Sequence, residues 1–198
     1  MSSTKDLTFR AGQPGDASDL AILWDAASRG HAAWIWGTLA GPGQSWLEVG
    51  RNRVLNGTDA PHYHAKWHVA EAEGRIIGAL FGFSIPDPYV QIDLETIHAS
   101  FHPMIEMEMV AKGCWLVQAV ALFPEARGKG YGEALMNRAC QAARDAGHRR
   151  IVLQVESPNT GAISLYHKCG FDEWERRPFV PFPGSDDEGD WILMAKDL

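Results

Sequence analysis

Apolar residues fall along the chain in short blocks whose spacing alternates between strand-like and helix-like. Residues 7–10 (Leu-Thr-Phe-Arg) alternate apolar and polar and predict a short strand. After a turn at 12–16, Leu20, Ile22, Leu23 and Trp24 mark a helix that Asp16 or Ser18 can cap. Trp34, Ile35 and Leu39 predict a second helix over 31–40, stopped by Gly41-Pro42-Gly43; a third, over 45–55, closes at Asn56-Gly57. Residues 65–72 and 75–84 are strand-like on either side of Glu73-Gly74, a hairpin signal, and Pro86-Asp87-Pro88 ends the pair. The stretch 89–112 is mixed and helical in places.

The second half is more regular. Residues 115–122 (Trp-Leu-Val-Gln-Ala-Val-Ala-Leu) are almost wholly apolar, as expected for a central strand covered on both faces. Leu135, Met136, Ala139, Ala142, Ala143 and Ala146 recur at helical spacing over 130–146, and Gly147 is placed to end that helix. A strand over 150–155 follows, then a helix opened by Asn159 and ending at Lys168-Cys169-Gly170. Two closing strands, over 171–176 and 191–195, are joined by an acidic loop at 184–189. No repeat or linker interrupts this order, so one α/β domain over 1–198 is expected.

Composition narrows the function classes. With 198 residues, 45% hydrophobic and 22% charged, the chain is long enough to bury a full core. Its 18 Lys+Arg against 25 Asp+Glu give a net charge of −7, which argues against a general nucleic-acid binder and weakly favours a cationic partner. No apolar run approaches the roughly 18 residues of a membrane-spanning helix. The opening Met1-Ser-Ser-Thr-Lys-Asp6 leads into no signal-like apolar stretch. Cys114, Cys140 and Cys169 form no CxxC pair, so neither a disulfide framework nor a thiolate zinc site is suggested. The expectation is a soluble cytoplasmic protein without a membrane partner. His62, His64, His68, His98 and His102 lack a neighbouring acid or Cys at ligand spacing, so no metal is expected.

Candidate chemistry sits in Pro124-Glu-Ala-Arg127-Gly128-Lys129-Gly130-Tyr131-Gly132, between an apolar strand and a helix. Glycines there let the backbone turn sharply, and a helix N-terminus presents unpaired N–H groups to an anion. Arg127 and Lys129 add positive charge suited to phosphate. A plain strand-to-helix turn is the alternative. A P-loop would need a hydroxyl residue after Gly-Lys, where Gly130 stands, and the glycine spacing is not that of a dinucleotide fingerprint.

The loop does match Arg/Gln-x-x-Gly-x-Gly/Ala, as Arg127, Gly130 and Gly132. About 30 residues on, Asn159, Ala162, Tyr166, Gly170 and Phe171 fit N-x-x-A-x-x-x-Y-x-x-x-G-F. The two together, in order and separated by one helix and one strand, resemble the acetyl-CoA-dependent N-acetyltransferases of the GNAT superfamily. The detailed match covers roughly 115–171.

That resemblance implies a mixed, mostly antiparallel twisted sheet with a central splayed parallel strand pair and helices on both faces. A cofactor core at about 114–171 would be flanked by acceptor-side elements at 16–113 and 172–198. Acetyl-CoA would be the co-substrate, its pyrophosphate on the amides of residues 128–132 and its pantetheine along the backbone of Val120 and Leu122. The Leu122 N–H would face the thioester oxygen. Asn159 would bond the pantetheine or simply cap its helix, and the two roles are compatible. Tyr166 would protonate the departing thiolate or serve only as a packed aromatic. The family often places a Glu on the strand before the glycine loop. Here that strand holds no acid, which leaves Glu106, Glu108 or Glu156 as nearest candidates, each also readable as a solvated surface acid. Trp34, Trp36 and Trp46 would either wall an acceptor pocket or pack the core. Asp186, Asp187, Glu188 and Asp190 would draw in a cationic amine or merely be solvated. A small-molecule or peptide amine is the implied acceptor, and a homodimer is open because dimers are common in the family. An acyl-CoA sensor without turnover is the rival reading.

Overall fold

The computed structural model describes residues 7–58, 60–185 and 188–198. Its strands are β1 (Thr8–Ala11), β2 (His68–Ala72), β3 (Arg75–Ser84), β4 (Trp115–Leu122), β5 (Arg150–Glu156), β6 (Asp172–Pro178) and β7 (Asp190–Asp197). Among the described residues the α-helices are α1 (Ala17–Ala27), α2 (His31–Thr38), α3 (Trp46–Asn56), α4 (His102–Val110), α5 (Tyr131–Asp145) and α6 (Thr160–Lys168). The strands make one seven-stranded, mostly antiparallel sheet in the order β1-β2-β3-β4-β5-β7-β6, flanked by helices, with β4 and β5 as its parallel pair. Two compact units share it: residues up to Gly82 with Ala119–Leu135, and Phe83–Gln118 with Met136–Leu198.

In the first unit the core is built around Trp67 and Phe81, whose ring centroids lie 4.4 Å apart, together with Leu20, Leu23, Val54 and Val69. Trp24 meets Phe81 edge-on at 5.2 Å and Trp36 at 5.3 Å, the geometry that aromatic quadrupoles prefer. Truncating Trp67 would cost about 3–5 kcal/mol through lost burial and cavity formation. Trp36 lies on α3 at Gly50, where a Cβ would come within 2.4 Å of the indole ring. Ser45 and Glu48 form a reciprocal cap on α3, each side chain bonding the other's backbone N–H. Arg10 on β1 is held between Asp16 and Glu71 at 2.6 and 2.8 Å.

The hairpin strand expected to begin at 65 starts instead at His68. Residues His64–Lys66 form a single helical turn, with the Trp67 N–H donating back to the His64 carbonyl at 3.1 Å. The α1 cap also differs from expectation: Asp16 occupies the cap position but makes no side-chain cap bond. Its carboxylate is spent on Arg10 and on the Gln13 N–H.

The second unit has its own core of Ile85, Met107, Ala111, Cys114, Leu116, Val152 and Leu193. β5 is paired with β7 from Arg150 to Glu156, but with β4 only where Trp115, Leu116 and Val117 face Ile151, Val152 and Leu153. α4 packs on β6 and β7, tied by the Glu106–Arg177 ion pair at 3.1 Å. The Gln154 side chain on β5 donates to the Met104 carbonyl at 2.7 Å. No helix among the described residues is long and apolar enough to cross a membrane.

Candidate functional site

In the first unit, the end of β4 shows a strict backbone alternation. The Phe123 N–H donates to the Ile77 carbonyl on β3 at 2.9 Å. Ala121 also turns its carbonyl to β3, 2.5 Å from where a Cβ on Gly78 would sit. A trans peptide points its N–H opposite to its C=O, so the Leu122 N–H is directed away from β3. The Leu122 carbonyl faces the same way and accepts a bond from Arg127 Nε at 3.2 Å. The strand end and the glycine loop are therefore fastened together through Arg127.

Beyond β4, Pro124–Ala126 form a single turn, and Arg127, Gly128, Lys129 and Gly130 are exposed. Gly128 and Gly130 have φ of +71° and +84°, a region L side chains avoid, and nothing lies within 4 Å of where their Cβ atoms would be. The glycines are needed for backbone conformation, and the space beside them is open. α5 starts at Tyr131, so the first N–H groups of a 15-residue helix, including that of Gly132, lack intrahelical partners. Val120 lies on β4 itself, two residues before Leu122.

In the second unit, Asn159 caps α6, its side chain accepting from the Ala162 N–H at a long 3.4 Å. Tyr166 lies seven residues further, two turns along the same helix face. It is 8% exposed and its ring lies 6.3 Å from that of Phe171. Burial pushes its hydroxyl up to about 12, with a smaller contribution from Cys169, so the group carries its proton across the whole working pH range.

The three acids expected to be solvated are not alike. Glu106 is ion-paired with Arg177. Glu156, at the end of β5 opposite Trp191 on β7, is only 3% exposed, and its carbonyl accepts from the Asn159 N–H at 2.9 Å. It is buried rather than solvated. Glu108 accepts a 2.9 Å hydrogen bond from the Tyr89 hydroxyl, and burial raises its carboxyl above the usual range. Desolvation also raises the Tyr89 hydroxyl.

Two further groups of residues singled out in the sequence have these surroundings. Trp36 is 3% exposed in the aromatic core, stacked on Trp46 at 6.1 Å. Trp34, half-buried, stacks on His31 at 5.5 Å. Asp186 and Asp187 lie outside the described residues, as does the segment Met1-Ser-Ser-Thr-Lys-Asp6. Asp190 pairs with Arg176 at 3.1 Å, which offsets its charge. Sequence reasoning passed over Gly78, for which a glycine inside an otherwise apolar strand was the available signal.

Comparison with known proteins places these features in a family. A family model described as Acetyltransferase (GNAT) family matches residues 25–171. A mycothiol acetyltransferase of Arthrobacter sp. (strain FB24) is 39% identical over 59 residues, covering 30% of this chain and 18% of that protein. The chain thus spans under a fifth of that relative's length. YncA of Salmonella typhimurium, solved with its cofactor acetyl-CoA, has the same fold at a TM-score of 0.64, with 21% identity over 98% of this chain and 94% of that one. Spermidine N-acetyltransferase of Vibrio cholerae, solved with CoA and spermine, gives 0.60, with 22% identity over 98% and 96% of the two chains.

Proposed function

This chain belongs to the acetyltransferase (GNAT) family, and from that premise we propose that it transfers an acetyl group from acetyl-CoA to a primary amine by direct attack in a ternary complex. The observation that carries the reading is the run from Ala121 to Gly132. Its strand end turns one amide outward and leads, through two left-handed glycines, to the open N-terminus of α5. Pyrophosphate binds the amides of residues 128–132, where backbone donors and the helix dipole both favour anions. Arg127, Lys129 and Tyr131 border that cradle. Pantetheine takes up backbone pairing at Val120 and Leu122, as an added strand would. The Leu122 N–H then donates to the thioester oxygen as negative charge builds on it.

Asn159 bonds the pantetheine as well as capping α6. Tyr166 delivers its proton to the departing thiolate. A hydroxyl at about 12 is a weak acid, but a thiolate leaving into similarly dry surroundings is itself raised, which narrows the gap. An alkylamine near pKa 10.4 is neutral in roughly one molecule in a few thousand at pH 7, so its proton needs an acceptor. We assign that role to Glu156, the most deeply buried of the three acids. Glu108 is the second assignment, favoured by its raised carboxyl, which brings it nearer neutrality as a base should be. Glu156→Gln and Glu108→Gln separate them: the variant that removes the base loses the acidic limb of the rate profile, and the other keeps it.

The acceptor is a small polyamine, an aminoglycoside-like compound or a peptide amine, in keeping with the net charge of −7 and with the spermine held by the Vibrio cholerae protein. Protein mixed with acetyl-CoA and a panel of such amines should release free thiol with at least one. CoA binding by titration calorimetry without thiol release from any amine would transfer support to an acyl-CoA sensor. The absence of an acid on β4 is the observation that favours that second reading.

A further inference from the structure

We propose that Gly78 is a positioning residue for acyl transfer: by having no side chain it lets β3 hold the Ala121–Leu122 peptide in the orientation that aims the Leu122 N–H outward. This rests on the reading of Leu122 given above and adds a residue to it. The local geometry is specific. Ala70 on β2 faces Gly78 and Glu71 faces Ile76, so Ile77 is left without a partner on β2, a one-residue bulge. The carbonyl of that bulged residue takes the Phe123 N–H.

A Cβ at 78 would stand 2.5 Å from the Ala121 carbonyl oxygen, 2.7 Å from Leu122 Cδ2 and 3.1 Å from Leu122 Cα. The first and last of these are backbone atoms, which cannot swing aside as the end of a long side chain can. Gly78 itself has no left-handed φ, unlike Gly128 and Gly130. Glycine is therefore required at this position by its neighbour and not by its own conformation. That neighbour is the peptide whose amide is assigned to the thioester. Because this peptide is planar, pushing its oxygen off β3 must also swing the Leu122 N–H.

Crowding elsewhere in the same unit provides the control. Gly50 is as tight, with a Cβ 2.4 Å from the Trp36 ring, but it crowds only a core indole. Gly78→Ala should lower kcat at least about tenfold, a larger factor than its effect on CoA affinity, since CoA keeps the pantetheine but lacks the acyl oxygen. Gly50→Ala should lower Tm and leave kcat per folded molecule unchanged. A kcat for Gly78→Ala within twofold of the unaltered chain overturns the proposal, as does an equal loss of kcat in Gly50→Ala.

Residue-resolved hydrogen exchange on the unaltered protein gives an answer even if the variant does not fold. Free protein should exchange the Leu122 amide quickly while Phe123 is protected, and acetyl-CoA should protect Leu122. A Leu122 amide already protected without ligand, or unprotected with it, overturns the proposal. Protection of Leu122 by acetyl-CoA in a protein that releases no thiol supports the placement of Gly78 and overturns the enzyme reading, so the two failures are distinguishable.

Discussion

The two units differ in the kind of chemical group each one offers. The first offers backbone: the Leu122 amide, two glycines in left-handed conformation and the open end of a helix, all near solvent and none of them titratable. The second offers side chains: Tyr166, Glu108 and Glu156, taken out of water, with Tyr166 and Glu108 raised by burial. Backbone donors are suited to holding a fixed anion, because their direction is set by the fold and does not change with pH. Buried side chains are suited to moving protons, because desolvation sets which form each carries. On this division, damage to the glycine loop should appear in cofactor affinity, and loss of the Tyr166, Glu108 or Glu156 side-chain function in turnover.

The largest effect that would sharpen this contrast comes from Tyr166→Phe. The ring and its neighbour Phe171 are preserved, so Tm and CoA affinity should change little, while kcat falls about a hundredfold. Thiol release and titration calorimetry read the two quantities separately. Unchanged kcat would break the division, because the second unit would then supply no proton through this hydroxyl.

Gly130→Ala probes the other side with a smaller effect. A Cβ there meets nothing within 4 Å, so the cost is that of forcing φ near +84° on alanine, about 1–2 kcal/mol. If the loop yields instead, its amides turn off target. Either way, Kd for CoA should rise about tenfold with kcat at saturation nearly unchanged. A fall in kcat at constant Kd would show that the loop acts on chemistry instead.

The sequence was most legible where one strong local rule applied. The almost wholly apolar run over 115–122 became β4 as expected, and 75–84 likewise became β3. Paired glycine signatures located the loop and the Asn159 helix. It was least legible where tertiary contacts decided. Residues 65–66 look like strand, yet both are exposed and belong to a turn closed by Trp67. Between 89 and 112, short turns are capped by the side chains of Asp93 and His98, and local hydrogen bonding of that kind leaves no periodicity to read. Glu156 reads as a surface acid because a charge at a strand end usually is one. Only the folded structure shows it buried, at 3% exposure. Gly78 shows the same limit, since its requirement is imposed by a segment more than forty positions away.

Stability against pH offers a smaller test, in the first unit's core. His62 packs on Trp24 with centroids 4.6 Å apart, and burial holds its imidazole down to about 4, helped by the charges of Arg53 and Lys66. A depressed folded value means that the unfolded chain takes up the proton first. The stabilisation is then complete above about 6.5, declines as pH falls through the window from 6.5 to about 4, and is gone below it. Tm measured across this window should fall by several degrees, and by less in His62→Gln, which carries no such proton. Equal slopes for the two proteins would show that His62 is not the group responsible.

The smallest expected effect concerns a residue to which both roles were assigned. Asn159 caps α6 through a 3.4 Å bond to the Ala162 N–H, at the long end of hydrogen-bond geometry, so Asn159→Ala should cost only about 0.5 kcal/mol, the low end for a lost cap. Asn159→Ser restores a cap on a shorter side chain. If capping is the whole of its work, Ser rescues Tm and there is no change in acetyl-CoA affinity to rescue. If the amide also bonds the pantetheine, Ser rescues Tm while Kd stays a few-fold weaker in both variants. Denaturant melts and calorimetry on the same two proteins decide it, and a Kd that tracks Tm would leave this asparagine on the structural side of the comparison.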